Sequence, residues 1–127
     1  MKKLLILLFS ILISFNSYGE WIKIGDTDAG DTAYIDYSKI KKHNGFIFVW
    51  ELLDKVQPTK WGDLSVEFYI QTECATLKSK YLTYNFYKQP MGIGDAETST
   101  PDDPKWFYPS PNGAVESVLE SACDFAN

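Results

Sequence analysis

Few side chains in this sequence are suited to covalent, acid–base or metal chemistry, and their spacing limits what they can do. The only histidine, His43, sits in Lys41-Lys42-His43-Asn44-Gly45, a charged turn that leads into an apolar strand. A general base must be held within hydrogen-bond reach of its proton, and a turn residue of this kind is expected to be exposed and unpositioned. No serine has a partnered base in view, so nucleophilic catalysis has no candidate. Asp26-Thr27-Asp28-Ala29-Gly30-Asp31 resembles the start of a calcium loop. It lacks a third acidic residue before the glycine, and Tyr37 stands where the bidentate glutamate belongs, so it reads as a solvated hairpin turn. Asp102-Asp103 falls in a proline-bounded loop with no companion carboxylate across a cleft. The expectation is a protein with no catalytic residues, no cofactor and no metal.

Two cysteines remain, Cys74 and Cys123. Their setting is an export signal. Lys2 and Lys3 precede an apolar run from Leu4 to Phe15, and Ser17-Tyr18-Gly19 places small residues at −3 and −1 of a cut before Glu20. The apolar run is short for a membrane span. Residues 1–19 are therefore expected to be a cleaved signal peptide, and residues 20–127 a single exported domain, periplasmic or secreted. In an oxidising compartment a lone cysteine pair is expected to join. No cysteine lies near Gly19, so a lipid anchor is not expected.

Cleavage removes Lys2 and Lys3 from the 12 basic residues, leaving ten lysines against 17 carboxylates and a net charge of −7. The chain has no arginine. Nucleic acid and anionic membrane normally require a basic face with guanidinium contacts, so neither is an expected partner.

The elements that position these residues follow from hydrophobic periodicity. Trp21 to Ile24 and Thr32 to Asp36 read as two strands around a Gly25–Asp31 turn, and Ser38 to Lys42 as a short turn. Asn44-Gly45 signals a tight turn before Phe46 to Leu53, a strand apolar on both faces and therefore expected to be central and covered on each side. Leu64 to Cys74 alternates, with Val66, Phe68, Ile70 and Cys74 on one face. Tyr81 to Tyr87 alternates too, with Tyr81, Thr83, Asn85 and Tyr87 on one side. Gln89 to Lys105 reads as a loop with at most a short pairing segment, and Trp106 to Tyr108 as a brief last strand. Ser110-Pro111 offers an N-cap and first-turn proline for a helix whose apolar stripe is Val115, Val118, Leu119, Ala122, Cys123 and Ala126. The fold class is α+β: one antiparallel sheet of about five to six strands against a C-terminal helix. Strand parity puts Cys74 on the core face and helix spacing puts Cys123 on the apolar stripe, so a Cys74–Cys123 bond would fix helix to sheet.

Aromatic residues offer the one candidate for recognition. Tyr69, Tyr81 and Tyr87 are expected on the face away from the core, where neighbouring strands would gather them into an interface.

The ordered landmarks resemble the surface-adhesin protein E family of bacterial exported proteins. They are Trp21, Tyr34-Ile35-Asp36 with Ser38-Lys39-Ile40, Val49-Trp50-Glu51-Leu52, Ser65 through Cys74, Met91-Gly92-Ile93-Gly94, Trp106, Pro109-Ser110 and a helix ending in Cys123. The resemblance implies an antiparallel sheet on a C-terminal helix, bonded cysteines, a Gram-negative envelope and a non-enzymatic role. It also implies protein partners such as laminin and vitronectin. The partner is thus expected to be a protein, with a second copy of the chain among the possibilities. The alternative is an envelope accessory factor that inhibits a hydrolase through a protruding 89–105 loop.

Overall fold

The structure, a computed structural model, describes residues 20–127; the expected signal segment 1–19 lies outside the described residues. Seven strands form one antiparallel sheet: β1 (Ile22–Asp26), β2 (Thr32–Ile35), β3 (Lys41–His43), β4 (Phe46–Asp54), β5 (Ser65–Glu73), β6 (Lys78–Tyr87) and β7 (Ala96–Ser99). Helix α1 (Ala114–Ala126) ends the chain. The sheet order is β1-β2-β4-β5-β6-β7. β2 and β3 share one edge of β4, β2 along Glu51–Asp54 and β3 along Phe46–Phe48.

Between β2 and β3 the chain turns through a 3-10 segment, Tyr37–Lys39. Buried Asp36 caps it, Oδ1 accepting from the Ser38 amide at 3.0 Å and the Ser38 hydroxyl at 2.5 Å. Asn44 and Gly45 both have positive φ, 51° and 82°, the conformation a two-residue hairpin loop requires, and Asn-Gly meets it with little strain.

The strands β3 and β7 account for the difference from the expected five or six. Both are short and polar, so neither carries the apolar alternation that reveals a strand. Trp106 to Tyr108 contributes less than a strand. Only Phe107 pairs, exchanging backbone hydrogen bonds with Ser79 at 2.9 and 2.8 Å. The helix starts later than expected. Ser110-Pro111-Asn112-Gly113 closes a turn, with the Gly113 amide donating to the Ser110 carbonyl at 3.1 Å, and Gly113 takes the N-cap position.

β4 presents Ile47, Val49 and Leu53 to the helix, beside Ala33 and Ile35 of β2. Val118, Leu119 and Ala122 of α1 are fully buried, with Cys123 nearly so. Each buried Val or Leu contributes roughly 1.5–3 kcal/mol of apolar burial. α1 lies over β1, β2 and β4 and does not extend across β5–β7. Cys74, one residue beyond β5, is bonded to Cys123 with the Cα atoms 5.7 Å apart. The Lys42 ammonium adds a second tie, donating to the Ala126 carbonyl at 3.1 Å.

Because the bond links residues 49 apart, chain-entropy reasoning assigns it about 4 kcal/mol. Replacing both cysteines by serine is expected to lower the urea unfolding free energy by about 2–4 kcal/mol. Coincident unfolding curves for the oxidised protein and the double variant would contradict the assignment.

Candidate binding surface

Direct cross-strand partners share a face, so the register sorts every strand residue to one side. Facing away from α1, Trp50 of β4 pairs with Tyr69 of β5 and then Thr83 of β6. The next row is Lys41, Phe48, Gln71 and Lys80. Trp50 stacks on Tyr69 with centroids 4.7 Å apart, and Phe48 tilts against the same ring at 6.0 Å. All three rings are half-buried, as is Tyr34 one row below. Together they make a contiguous aromatic platform with a lysine at each end of the Phe48 row.

The three tyrosines expected together are separated. Tyr69 stands at the centre of the platform. Tyr87 is on the same side but lies under the 3-10 turn Pro90–Gly92, and its hydroxyl donates to Glu67. Tyr81 is on the helix side. β6 carries a bulge, with Thr83 opposite Tyr69 but Tyr81 opposite Ile70, so Leu82 is the extra residue and side-chain parity reverses there. Tyr81 packs instead against Phe68, Tyr84 and Phe107, at 5.4, 5.6 and 4.6 Å. Nothing in the residue types of this strand marks the bulge. Phe48 and Trp50 were legible as an apolar face of β4, but that pattern implied a cover which no described element supplies.

The 89–105 segment is held to the sheet along much of its length. The Met91 amide donates to Asp54 Oδ1 at 2.8 Å, the Gly92 amide to Ser65 Oγ at 2.9 Å, and Ser65 Oγ to the Gln89 carbonyl at 2.6 Å. Gly92, at φ 66°, lies against Leu52, where an added Cβ would be in ordinary contact, 3.5 Å from its methyl group. Residues 96–99 then pair as β7.

The acidic turn at 26–31 is tied down in the same manner. Asp31 Oδ2 accepts from the Lys55 ammonium at 2.9 Å and Oδ1 from the Val56 amide at 2.8 Å. Burial works to raise the Asp31 carboxyl, but these partners together outweigh it and hold it below the ordinary value. His43 is exposed on β3, its ring nitrogen 3.0 Å from the Asn44 amide nitrogen.

One carboxyl departs from this pattern. Glu51 lies on the helix side between its cross-strand partners Ile35 and Phe68, only 2% exposed. Among the described residues it has no hydrogen-bond or ion-pair partner. Burial alone pushes its carboxyl up to about 7. Burial raises the nearby Tyr81 phenol, and the charge of Glu51 raises it further.

Residues 21–124 match the family Surface-adhesin protein E. No curated protein sequence matches the chain. Among solved structures, protein E of Haemophilus influenzae superposes with a TM-score of 0.59 at 18% identity, covering 82% of this chain and 83% of that one. Its crystal form II gives 0.56 at 19% identity over 75% of this chain and 83% of that chain. Protein E from non-typeable Haemophilus influenzae gives 0.56 at 17% identity, over 82% and 75%. At such identities the likeness is one of fold.

Glu51 sets a pH dependence. Its folded pKa of about 7 stands above the ordinary 4.5, so the stability it leaves intact is fully present below pH 4.5 and is lost as pH rises through 7. Unfolding free energy is expected to fall by on the order of 2–3 kcal/mol between these limits. Asp31 and Asp63, both held below the ordinary 3.8, act in a more acidic window. Glu51→Gln should flatten the decline and exceed the wild type in stability at pH 8. Superimposable pH–stability profiles for the two proteins would refute the role given to Glu51.

Proposed function

The chain belongs to the surface-adhesin protein E family, and from that premise we propose that it is a small, exported, non-enzymatic binding protein that engages a protein partner. Residues 1–19 direct export and are removed after Gly19, and the domain works in the periplasm or outside the cell. Among the described residues no helix is long and apolar enough to cross a membrane. The ligand class is that of the family's namesake adhesins, host matrix and serum proteins such as laminin and vitronectin, or a protein of the cell's own envelope.

The observation that carries this reading is the Phe48–Trp50–Tyr69 platform. Stacked, half-buried rings on a sheet give contact area at little conformational cost, and Trp and Tyr are enriched among residues that dominate binding energy. The lysines at its ends, Lys41 and Lys80, form no ion pair with a described carboxylate and supply a polar rim. The alternative of a protruding inhibitory loop is weakened by the anchoring of residues 89–92 and the pairing of 96–99.

The test is saturable binding of the oxidised protein, recovered from the exported fraction, to laminin, vitronectin and envelope extracts. Trp50→Ala combined with Tyr69→Ala should weaken that binding by about 30-fold or more, while circular dichroism stays that of the native sheet. Absence of any saturable partner, or an affinity untouched by the double substitution, would overturn the proposal.

A further inference from the structure

The two sides of the sheet end in unlike edges. β1 is interrupted by a bulge between Lys23 and Gly25, and Lys23 lies 3.6 Å from Asp26. β3 is three residues long and carries Lys41 and Lys42. Bulges, short strands and lysines are the usual devices that stop another chain from pairing with an open edge. β7 is short, but it has none of the others. Its four residues, Ala96 to Ser99, contain no lysine, no proline and no bulge, and all are exposed. Its backbone groups that point away from β6 have no partner among the described residues.

Beside this edge, on the helix side of the sheet but beyond the helix, lies a cavity of about 410 Å³. Phe86 of β6 and Trp61, a residue 68% exposed, are its aromatic lining residues. Glu97 and Ser99 of β7 border it, and Glu97 is directly opposite Phe86. The lysine in this cavity is already neutralised. Lys88 Nζ donates to Asp63 Oδ1 at 2.8 Å and to the Trp61 carbonyl at 2.7 Å. That pairing also fixes the backbone of Trp61 at the rim. Glu97 has no ion-pair or hydrogen-bond partner among the described residues.

Two aromatic residues lining one cavity with an unpartnered carboxylate beside them suit a cation. In the unbound protein the Lys60 ammonium, 4.4 Å from the Trp61 centroid, is the cation that this ring attracts. The wider field has the same sign. Residues 95–103 include Asp95, Glu97, Asp102 and Asp103 and no basic residue, and among the described residues only Asp103 finds an ion-pair partner, Lys105 at 2.5 Å.

We propose that the free edge of β7 receives an extended, lysine- or arginine-bearing segment of a partner protein, which pairs as an additional strand and seats one basic side chain between Trp61 and Phe86 beside Glu97. Main-chain hydrogen bonds give such an interface its affinity, and alternate side chains give it specificity. A residue of the added strand opposite Glu97 points to the same face as Phe86, but β7 intervenes. The strands lie about 4.8 Å apart, so only a long side chain reaches across Glu97 to the two rings. The acidic rim steers a basic segment to the edge and disfavours an acidic one. This site is separate from the Phe48–Trp50–Tyr69 platform on the opposite face.

The experiment uses the ¹⁵N-labelled oxidised protein and the peptide acetyl-Lys-Val-Lys-Val-Lys-Val-amide. Two versions methylated on alternate backbone nitrogens, either all lysines or all valines, and one with glutamate for lysine serve as comparisons. Expected are shift changes and slowed amide exchange confined to residues 95–100, with movement of the Trp61 indole signal. Binding should weaken at least about tenfold with Glu97→Lys or Trp61→Ala, with the glutamate peptide, and with one of the two methylated peptides. The Trp50→Ala, Tyr69→Ala variant should bind the peptide as the wild type does, which keeps this inference distinguishable from the platform proposal. No shift changes at millimolar peptide, changes centred on Tyr69, or equal binding of both methylated peptides and their parent would each overturn it.

Discussion

A single helix must cover a sheet that is wider than it is. α1 has 13 residues, about 20 Å of length and about 10 Å of width with its side chains, whereas six strands side by side span roughly 24 Å. The helix therefore shields β1, β2 and β4 and leaves the helix side of β5–β7, and all of the opposite face, to other means. Most of what is distinctive in the molecule follows from that shortfall. The Cys74–Cys123 bond sets where the helix sits, because it pins the helix C-terminal half to the β5–β6 connection at one end of the sheet. The N-terminal end is held more lightly, by a turn at Ser110–Gly113 and by the Asn112 amide donating to Glu116 at 3.1 Å.

Where the helix stops, aromatic side chains take over. Phe68, Tyr81, Tyr84 and Phe107 pack edge to face and face to face on the helix side, and Trp106 reaches the other side, where it stacks on Phe46 below Lys80. The Trp106–Phe107 dipeptide thus grips both faces of β6, with the Ser79–Phe107 backbone pair as its hinge pin. Under this cover sit polar groups that an apolar core of larger size would exclude. Thr72 and Ser79 satisfy one another at 2.8 Å, and Ser79 also donates to the Leu77 carbonyl at 2.7 Å. Among the described residues Glu51 has no such partner. At the boundary between helix cover and aromatic cover it is buried deeply enough to be neutral below about pH 7.

The sequence was most legible where one periodicity ruled a long segment. β4, β5 and α1 declare themselves through apolar spacing, and the cysteine contact follows because parity on β5 and spacing on α1 are independent constraints meeting at one point. Legibility fails where the decisive feature has no signature in residue type. β7 is polar and exposed, so its alternation carries no hydrophobic signal, and its pairing is set by the tight Gly92 and Gly94 turns that fold the chain back along β6. The bulge at Leu82 is similarly silent, yet it moves Tyr81 to the other face. One of the three platform residues was therefore readable as such: Tyr69 is marked by its strand, while Phe48 and Trp50 are visible only as an apolar face awaiting a cover.

An apolar face on an open sheet invites self-association, and the devices against it are charge and a protected edge. Here both surfaces rely on charge, of opposite sign. The Phe48–Trp50–Tyr69 face is bordered by Lys41 and Lys80, whereas the β7 edge is bordered by carboxylates. Two copies meeting face to face would oppose lysine to lysine, and two β7 edges meeting would oppose Glu97 to carboxylates of its own kind, each arrangement disfavoured by like charge. The same distribution leaves both surfaces open to partners of complementary charge. Net acidity opposes self-association in general, and the placement of the lysines and carboxylates that have no ion-pair partner among the described residues decides which approach each surface favours.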